Sequence, residues 1–374
     1  MNRQNDIATA LSKLPTDVLV ELMNLYQKSS LAMSKDDNTA ETFRICNIPD
    51  DVKREIKDYE RMGNSRIAEH SKKWVSTIKL LPQSTSPRQV LNAEFLAHVD
   101  QVWSKNISGL ESIKERLKTH FVEYLQTGAT RPIILSGSPG CGKTRVAKTI
   151  GEILQRPVHI ANAVQIATGN GLTGHSNTYI GAMPGEVVEG MVRTRSGDYV
   201  FVIDEADKAH MIADRSGNFQ NELLALTSDE TAMLFKDTFI GFPIDASHLF
   251  IIMTANELDD LSAPLKSRCD IIEFPEPDRQ TIEAILLDHT IPTLFEKLRC
   301  KDMITVDNSA VSHLADILFP KCKDVRKYQS IVEATVNHAF LRSFTQGRMI
   351  VIDSEMITPF ANSLSFKQEV RIGF

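Results

Sequence analysis

The chain has 374 residues and a formal net charge of −6, enough length for about two or three domains and the wrong sign for coating nucleic acid or an anionic membrane. Its five cysteines (Cys46, Cys141, Cys269, Cys300, Cys322) are odd in number, widely spaced and without a C-x-x-C pair, which argues against a disulfide framework or structural zinc. The amino terminus lacks the apolar core of a signal peptide and no apolar run approaches a membrane span, so a soluble cytoplasmic protein is expected.

Residues 1–29 read as helix, with Leu11, Leu14, Val18, Leu22, Leu25 and Tyr26 on one face and Pro15 near a helical start. A polar linker follows over residues 29–42. Such a tethered helix either docks a partner or packs on its own domain, and the sequence leaves both open. Residues 50–62 form a charged helix, residues 67–81 an amphipathic one around Trp74, and residues 95–102 and 110–125 two more. Ile107 to Leu110 are small and apolar, suited equally to a wall of an adenine pocket or to ordinary core.

Ile133 to Leu135 have the unbroken apolar character of a buried parallel strand. Gly137, Ser138, Pro139, Gly140, Cys141, Gly142, Lys143 and Thr144 then spell G-x-x-x-x-G-K-T, and from Arg145 a helical pattern begins. Glycines there let successive backbone N–H groups turn inward, at the positive end of the helix, where a phosphate is favoured. Lys143 is placed to reach the β- and γ-phosphates, and the Thr144 hydroxyl to be a ligand of Mg²⁺. Cys141 is either a tolerated small filler or an oxidisable thiol at a helix start.

Residues 157–161 form a second strand. The following loop presents Tyr179 and Ile180 between glycines, an unusual pair for a solvent loop. A helix over 187–192 leads to the apolar strand 199–203, which runs into Asp204 and Glu205. After a P-loop, such carboxylates are expected to orient Mg²⁺ (Asp204) and to polarise the attacking water (Glu205). A helical segment over 219–226 precedes a fourth strand, 248–256, ending in Thr254 and Asn256, the latter in reach of a γ-phosphate or lytic water. Residues 271–274 are a fifth strand, which makes the fold class α/β with a doubly wound parallel five-stranded sheet. From residue 277 the periodicity is helical (281–287, 291–298, 311–319, 325–341), with one hairpin element over 349–352, so a small all-helical domain is expected. The boundaries expected are 1–45 for the terminal helix and linker, 46–105 for a helical arm, 106–275 for the α/β domain and 276–374 for the helical lid.

With those pieces in place the sequence resembles the AAA+ ATPases and, within them, the ATPase module of the Lon proteases. Gly174-His175 and Thr178-Tyr-Ile-Gly-Ala-Met-Pro-Gly185 are similar to the Lon pore loop nearly letter for letter. Asp204-Glu-Ala-Asp-Lys208, Thr254-Ala-Asn256, Pro264-Leu-Lys-Ser-Arg268 and Asp324-Val-Arg326 resemble the Walker B, sensor 1, arginine-finger and sensor 2 segments. Residues 48–81 and 108–117 resemble the helical arm and lead-in, so the likeness runs from about residue 47 to the end.

The resemblance implies ATP and Mg²⁺ as cofactors and a homo-oligomeric, hexameric ring. It implies that Arg268 completes the site of the neighbouring subunit, that Arg326 couples nucleotide state to the lid, and that Tyr179 and Ile180 grip an unfolded protein substrate in a central pore. Two departures are expected to matter. The chain stops where Lon continues into its peptidase domain, so no peptide hydrolysis is expected of it, and residues 1–45 stand in place of the large substrate-recognition domain. An unfolding or remodelling ATPase is the reading that results. The competing readings are a subunit delivering substrate to a separate peptidase or effector, docked through Arg371 to Phe374, and a non-threading assembly switch.

Overall fold

The computed structural model describes residues 42–62, 69–168, 171–211 and 216–363. The helix and linker expected before residue 42 and the tail Arg371 to Phe374 lie outside the described residues. Two compact units divide the described chain: residues 42–105, 110–136 and 143–273 form the first, and 106–109, 137–142 and 274–363 the second.

In the first unit α1 (Asp50–Met62) opens on two acidic residues and closes on Arg61, each complementing the helix dipole. Its Val52, Ile56 and Tyr59, one helical turn apart, lie against the core reached by Trp74 and Ile78 of α2 (Glu69–Leu80). α3 (Ala93–Asn106) and α4 (Glu111–Thr127) follow. In α4 Ile113, Leu117, Phe121 and Tyr124 repeat at helical spacing on the buried face. Gly128, left-handed at φ 80°, ends that helix by returning its N–H to the Tyr124 carbonyl.

The sheet is built from β1 (Ile133–Ser136), β2 (Val158–Asn162), β3 (Val200–Asp204), β6 (Phe250–Ala255) and β7 (Asp270–Glu273), in the order β2-β3-β6-β1-β7, and every pairing is parallel. Between the strands run α5 (Lys143–Leu154), α6 (Ala163–Thr168), α7 (Glu186–Thr194), α8 (Ser216–Leu226), α9 (Asp229–Ala232) and α10 (Ala263–Arg268). β1 and β6 are buried at every position, which is why they read as continuous apolar runs rather than alternating ones. β4 (Phe235–Lys236) and β5 (Pro243–Ile244) form a short antiparallel pair the sequence pattern did not announce. Among the described residues no helix is long and apolar enough to cross a membrane.

The second unit holds α11 (Arg279–Ala284), a wide π turn (Ile285–Thr290), α12 (Ile291–Leu298), α13 (Asn308–Leu318), α14 (Val325–Gln346) and α15 (Ser354–Ser363). It is not all helical. β8 (Ile304–Val306) pairs with β9 (Ile350–Ile352), and the pairing is parallel, so the hairpin expected over residues 349–352 does not form. Two helices, α13 and α14, separate the strands, and a tight turn joins only antiparallel neighbours. Ile350 and Ile352 point into the core while Val351 is exposed, a period of two too short to announce its partner.

Candidate nucleotide site

The carboxyl ends of β1, β3 and β6 lie side by side in the first unit, and the residues just past them are polar. Lys143, the first residue of α5, is buried and donates from Nζ to Asn256 Oδ1 at 2.9 Å. Thr144 donates from its hydroxyl to Asp204 Oδ1 at 3.3 Å, and the Thr254 hydroxyl donates to the same oxygen at 2.6 Å. Thr254 also accepts the Glu205 backbone N–H at 2.9 Å. Glu205 sits at φ 56°, a left-handed conformation that costs a non-glycine residue about 1–2 kcal/mol and turns the chain sharply at the strand end.

Two residues outside the sequence-level candidates belong to this cluster. Asn162, the last residue of β2, donates from Nδ2 to Glu205 Oε2 at 3.2 Å. Parallel register sets it beside Asp204, and nothing local in the sequence marks it. Asp207 is fully buried and accepts the backbone N–H groups of Asn256 and Glu257 at 3.1 and 3.2 Å, bracing the segment that carries Asn256. Its place in Asp204-Glu-Ala-Asp-Lys208 was the available signal.

A hydroxyl and a carboxylate converging in this way are hard oxygen donors of the kind Mg²⁺ accepts. A buried ammonium beside them suits the phosphates of a nucleotide. The donor set therefore fits a magnesium nucleotide.

In the second unit residues 137–142 form the glycine-rich loop that enters α5. Gly140 has φ 82°, and a Cβ there would stand 2.2 Å from Asp324 Oδ1, so neither conformation nor space admits a side chain. Asp324 also caps α14, accepting the Arg326 N–H at 3.0 Å. Ile107, which belongs to this unit, is buried. Ser138 accepts the Cys141 N–H at 3.4 Å.

Arg268 is not gathered into the Lys143 cluster. It is exposed at the end of α10 and donates to the Leu224 carbonyl at 3.3 Å. Arg145 is exposed on α5.

Tyr179 and Ile180 crown their loop, 68% and 97% exposed, where an unburied apolar pair has no core to serve. The neck of the loop is tight. A Cβ on Gly174 would lie 2.5 Å from the Gly185 nitrogen, and the Thr238 hydroxyl donates to the Thr173 and Gly174 carbonyls at 2.7 and 2.8 Å. Asp237, 1% exposed, accepts N–H groups from Gly185 (2.7 Å), Phe239 (2.8 Å) and Ile240 (3.0 Å). Burial pushes its carboxyl up to about 6, against the opposing pull of those three N–H donors.

Residues 133–276 match the family model described as ATPase family associated with various cellular activities (AAA). The chain thus carries an AAA ATPase domain, set on the parallel sheet whose strand ends hold the cluster above. It is similar to a Lon protease of Methanosarcina barkeri (30% identity over 67% of this chain and 31% of the relative) and to one of Methanosphaera stadtmanae (29% over 76% and 37%). It is also similar to the peroxisomal Lon protease homolog 2 of Caenorhabditis briggsae (27% over 72% and 34%). The module is Lon-like, and the chain spans about a third of the length of these curated relatives.

Proposed function

We propose that this chain is a subunit of an ATP-hydrolysing ring that pulls on, unfolds or remodels a protein substrate. The ATPase half of the reading is carried by Lys143, Thr144, Asp204 and Asn256 meeting at the carboxyl ends of the parallel strands. Threading is supported by an exposed aromatic and β-branched pair on a loop whose neck is fastened by Asp237 and Thr238. Bound ATP would supply the phosphoanhydride to be cleaved, and Thr144 and Asp204 would hold a Mg²⁺ that offsets its charge. The glycine loop from Gly137 to Gly142 wraps the phosphates, and Lys143 exchanges Asn256 for a phosphate oxygen. Glu205 takes the proton of the attacking water at the carboxylate oxygen that Asn162 leaves open. Asn256, released from Lys143, turns its amide to the γ-phosphate or the water.

Arg268 lies exposed and away from that cluster, as a guanidinium delivered to a neighbour's nucleotide must; such a group in trans contributes about 10³–10⁵ in rate. Arg326, at the start of α14 with its Cγ 3.4 Å from where a Cβ on Gly140 would stand, would offer its guanidinium to the phosphates and so make the second unit responsive to nucleotide state. An apolar grip needs no sequence code, which fits a substrate that is unfolded polypeptide rather than nucleic acid.

Tyr179→Ala tests the reading. ATP hydrolysis is expected to stay within about twofold of wild type while ATP-driven unfolding of a tagged protein substrate is lost. Unfolding that survives the change refutes threading. Electron microscopy of Glu205→Gln with ATP is expected to show a closed ring with polypeptide in its channel.

A further inference from the structure

α10 is only six residues long, too short to hold its own geometry, yet it carries Arg268 at its last position. The Lys266 carbonyl accepts the Cys269 N–H at 3.4 Å, whereas the last two carbonyls, of Ser267 and Arg268, lie past the helix's own N–H groups. Arg131 supplies their partner: its guanidinium donates from Nε to the Arg268 carbonyl at 2.8 Å and from Nη2 to the Ser267 carbonyl. The fork spans both carbonyls and sets a cation at the negative end of the helix. The next residues are fastened to the same place. Asp270 N–H donates to the Pro132 carbonyl at 2.8 Å, and the Asp270 carboxylate is held by Arg116 and by His120 Nε2 at 3.0 Å. Arg131 and Pro132 lead straight into β1, and β1 leads straight into the glycine loop. The end of α10 is therefore tied to the strand that carries this chain's own phosphate loop.

We infer that Arg131 is the positioning residue for Arg268, presenting that side chain to the neighbouring protomer at a place set by the strand feeding its own nucleotide site. The inference rests on reading Arg268 as the group delivered in trans. The Arg268 side chain is exposed and, among the described residues, donates to the Leu224 carbonyl at 3.3 Å, a long contact that leaves its placement to the backbone at the helix end. Misplacing a reacting group by about 1 Å costs about 10²-fold in rate.

The experiment uses the full chain, with steady-state ATP hydrolysis and ring size measured together. Arg131→Ala is expected to assemble with ATP and to lose about 10²-fold in kcat with KM for ATP within about twofold. Arg131→Lys keeps the cation but reaches one carbonyl, and is expected to fall between the two.

A mixing measurement separates positioning in trans from damage to the variant's own site. Rings formed from equal parts of Arg131→Ala and Glu205→Gln contain about a quarter of interfaces pairing an intact site with an intact Arg268. Hydrolysis is then expected to rise well above the sum of the two preparations alone. No rise on mixing places the defect in the variant's own site and overturns the inference, as does an Arg131→Ala ring at wild-type kcat while Arg268→Ala is inactive. Arg268→Ala hydrolysing at the wild-type rate would instead remove the underlying reading of Arg268.

Discussion

Asp237 offers a test whose sign is set by burial. Its carboxyl is 1% exposed and is pushed from an ordinary 3.8 to about 6. A folded-state value above the unfolded one means that the native protein binds an extra proton between those limits. The associated stability is present at low pH and is lost as pH rises through about 6. Between about pH 4.5 and pH 7 the loss integrates to about 2 kcal/mol. Asp237→Asn cannot titrate. Its amide, whichever way it is turned, also sets an NH₂ against at least one of the N–H donors from Gly185, Phe239 and Ile240, a cost of about 1–3 kcal/mol that does not vary with pH. Urea unfolding of both proteins at several values between pH 4.5 and 7 reads the two contributions separately. Relative to the variant, wild type should be more stable at pH 4.5 than at pH 7 by about 2 kcal/mol. A difference that stays flat across that range would refute the account of the buried carboxyl.

Two further outcomes follow from the same geometry. Asn162→Ala frees Glu205 from a 3.2 Å hydrogen bond of modest strength, so basal ATP hydrolysis should rise about two- to tenfold with KM unchanged; a fall in kcat would show that Asn162 assists rather than restrains. Arg156 Nε lies 2.8 Å from Asp198 Oδ2, both residues are buried, and Asp198 also accepts from Ser86 and Ser196. Removing one partner of such a pair strands the other charge, so Asp198→Ala should lower stability by about 3–5 kcal/mol, read by denaturant midpoint, while Asp198 and Arg156 replaced together should cost less than the sum.

Much of the fold was legible because its signals are local. A strand buried on both faces has to be a continuous apolar run, so β1, β3 and β6 announce themselves over four to six residues. The glycine spacing around Lys143 is equally local, since backbone that must turn at φ 82° at Gly140 admits little else. The same holds for Asp204 and Glu205, which are simply the residues where an apolar strand ends.

What stayed hidden depends on residues far apart in the chain. Asn162 matters because parallel register sets β2 beside β3, and register is a property of two strands. β8 finds β9 across two helices, so a three-residue run at each end could not say which way they would pair. Asp237 reads as an ordinary polar residue until folding buries it against the neck of the Tyr179 loop, where water can no longer solvate its charge. Arg131 sits at the head of a strand, and only the packing of β7 beside β1 brings the end of α10 within its reach. Local backbone chemistry thus marked the glycine loop and the polar strand ends, and the pairing of distant strands decided which side chains surround and steady that place.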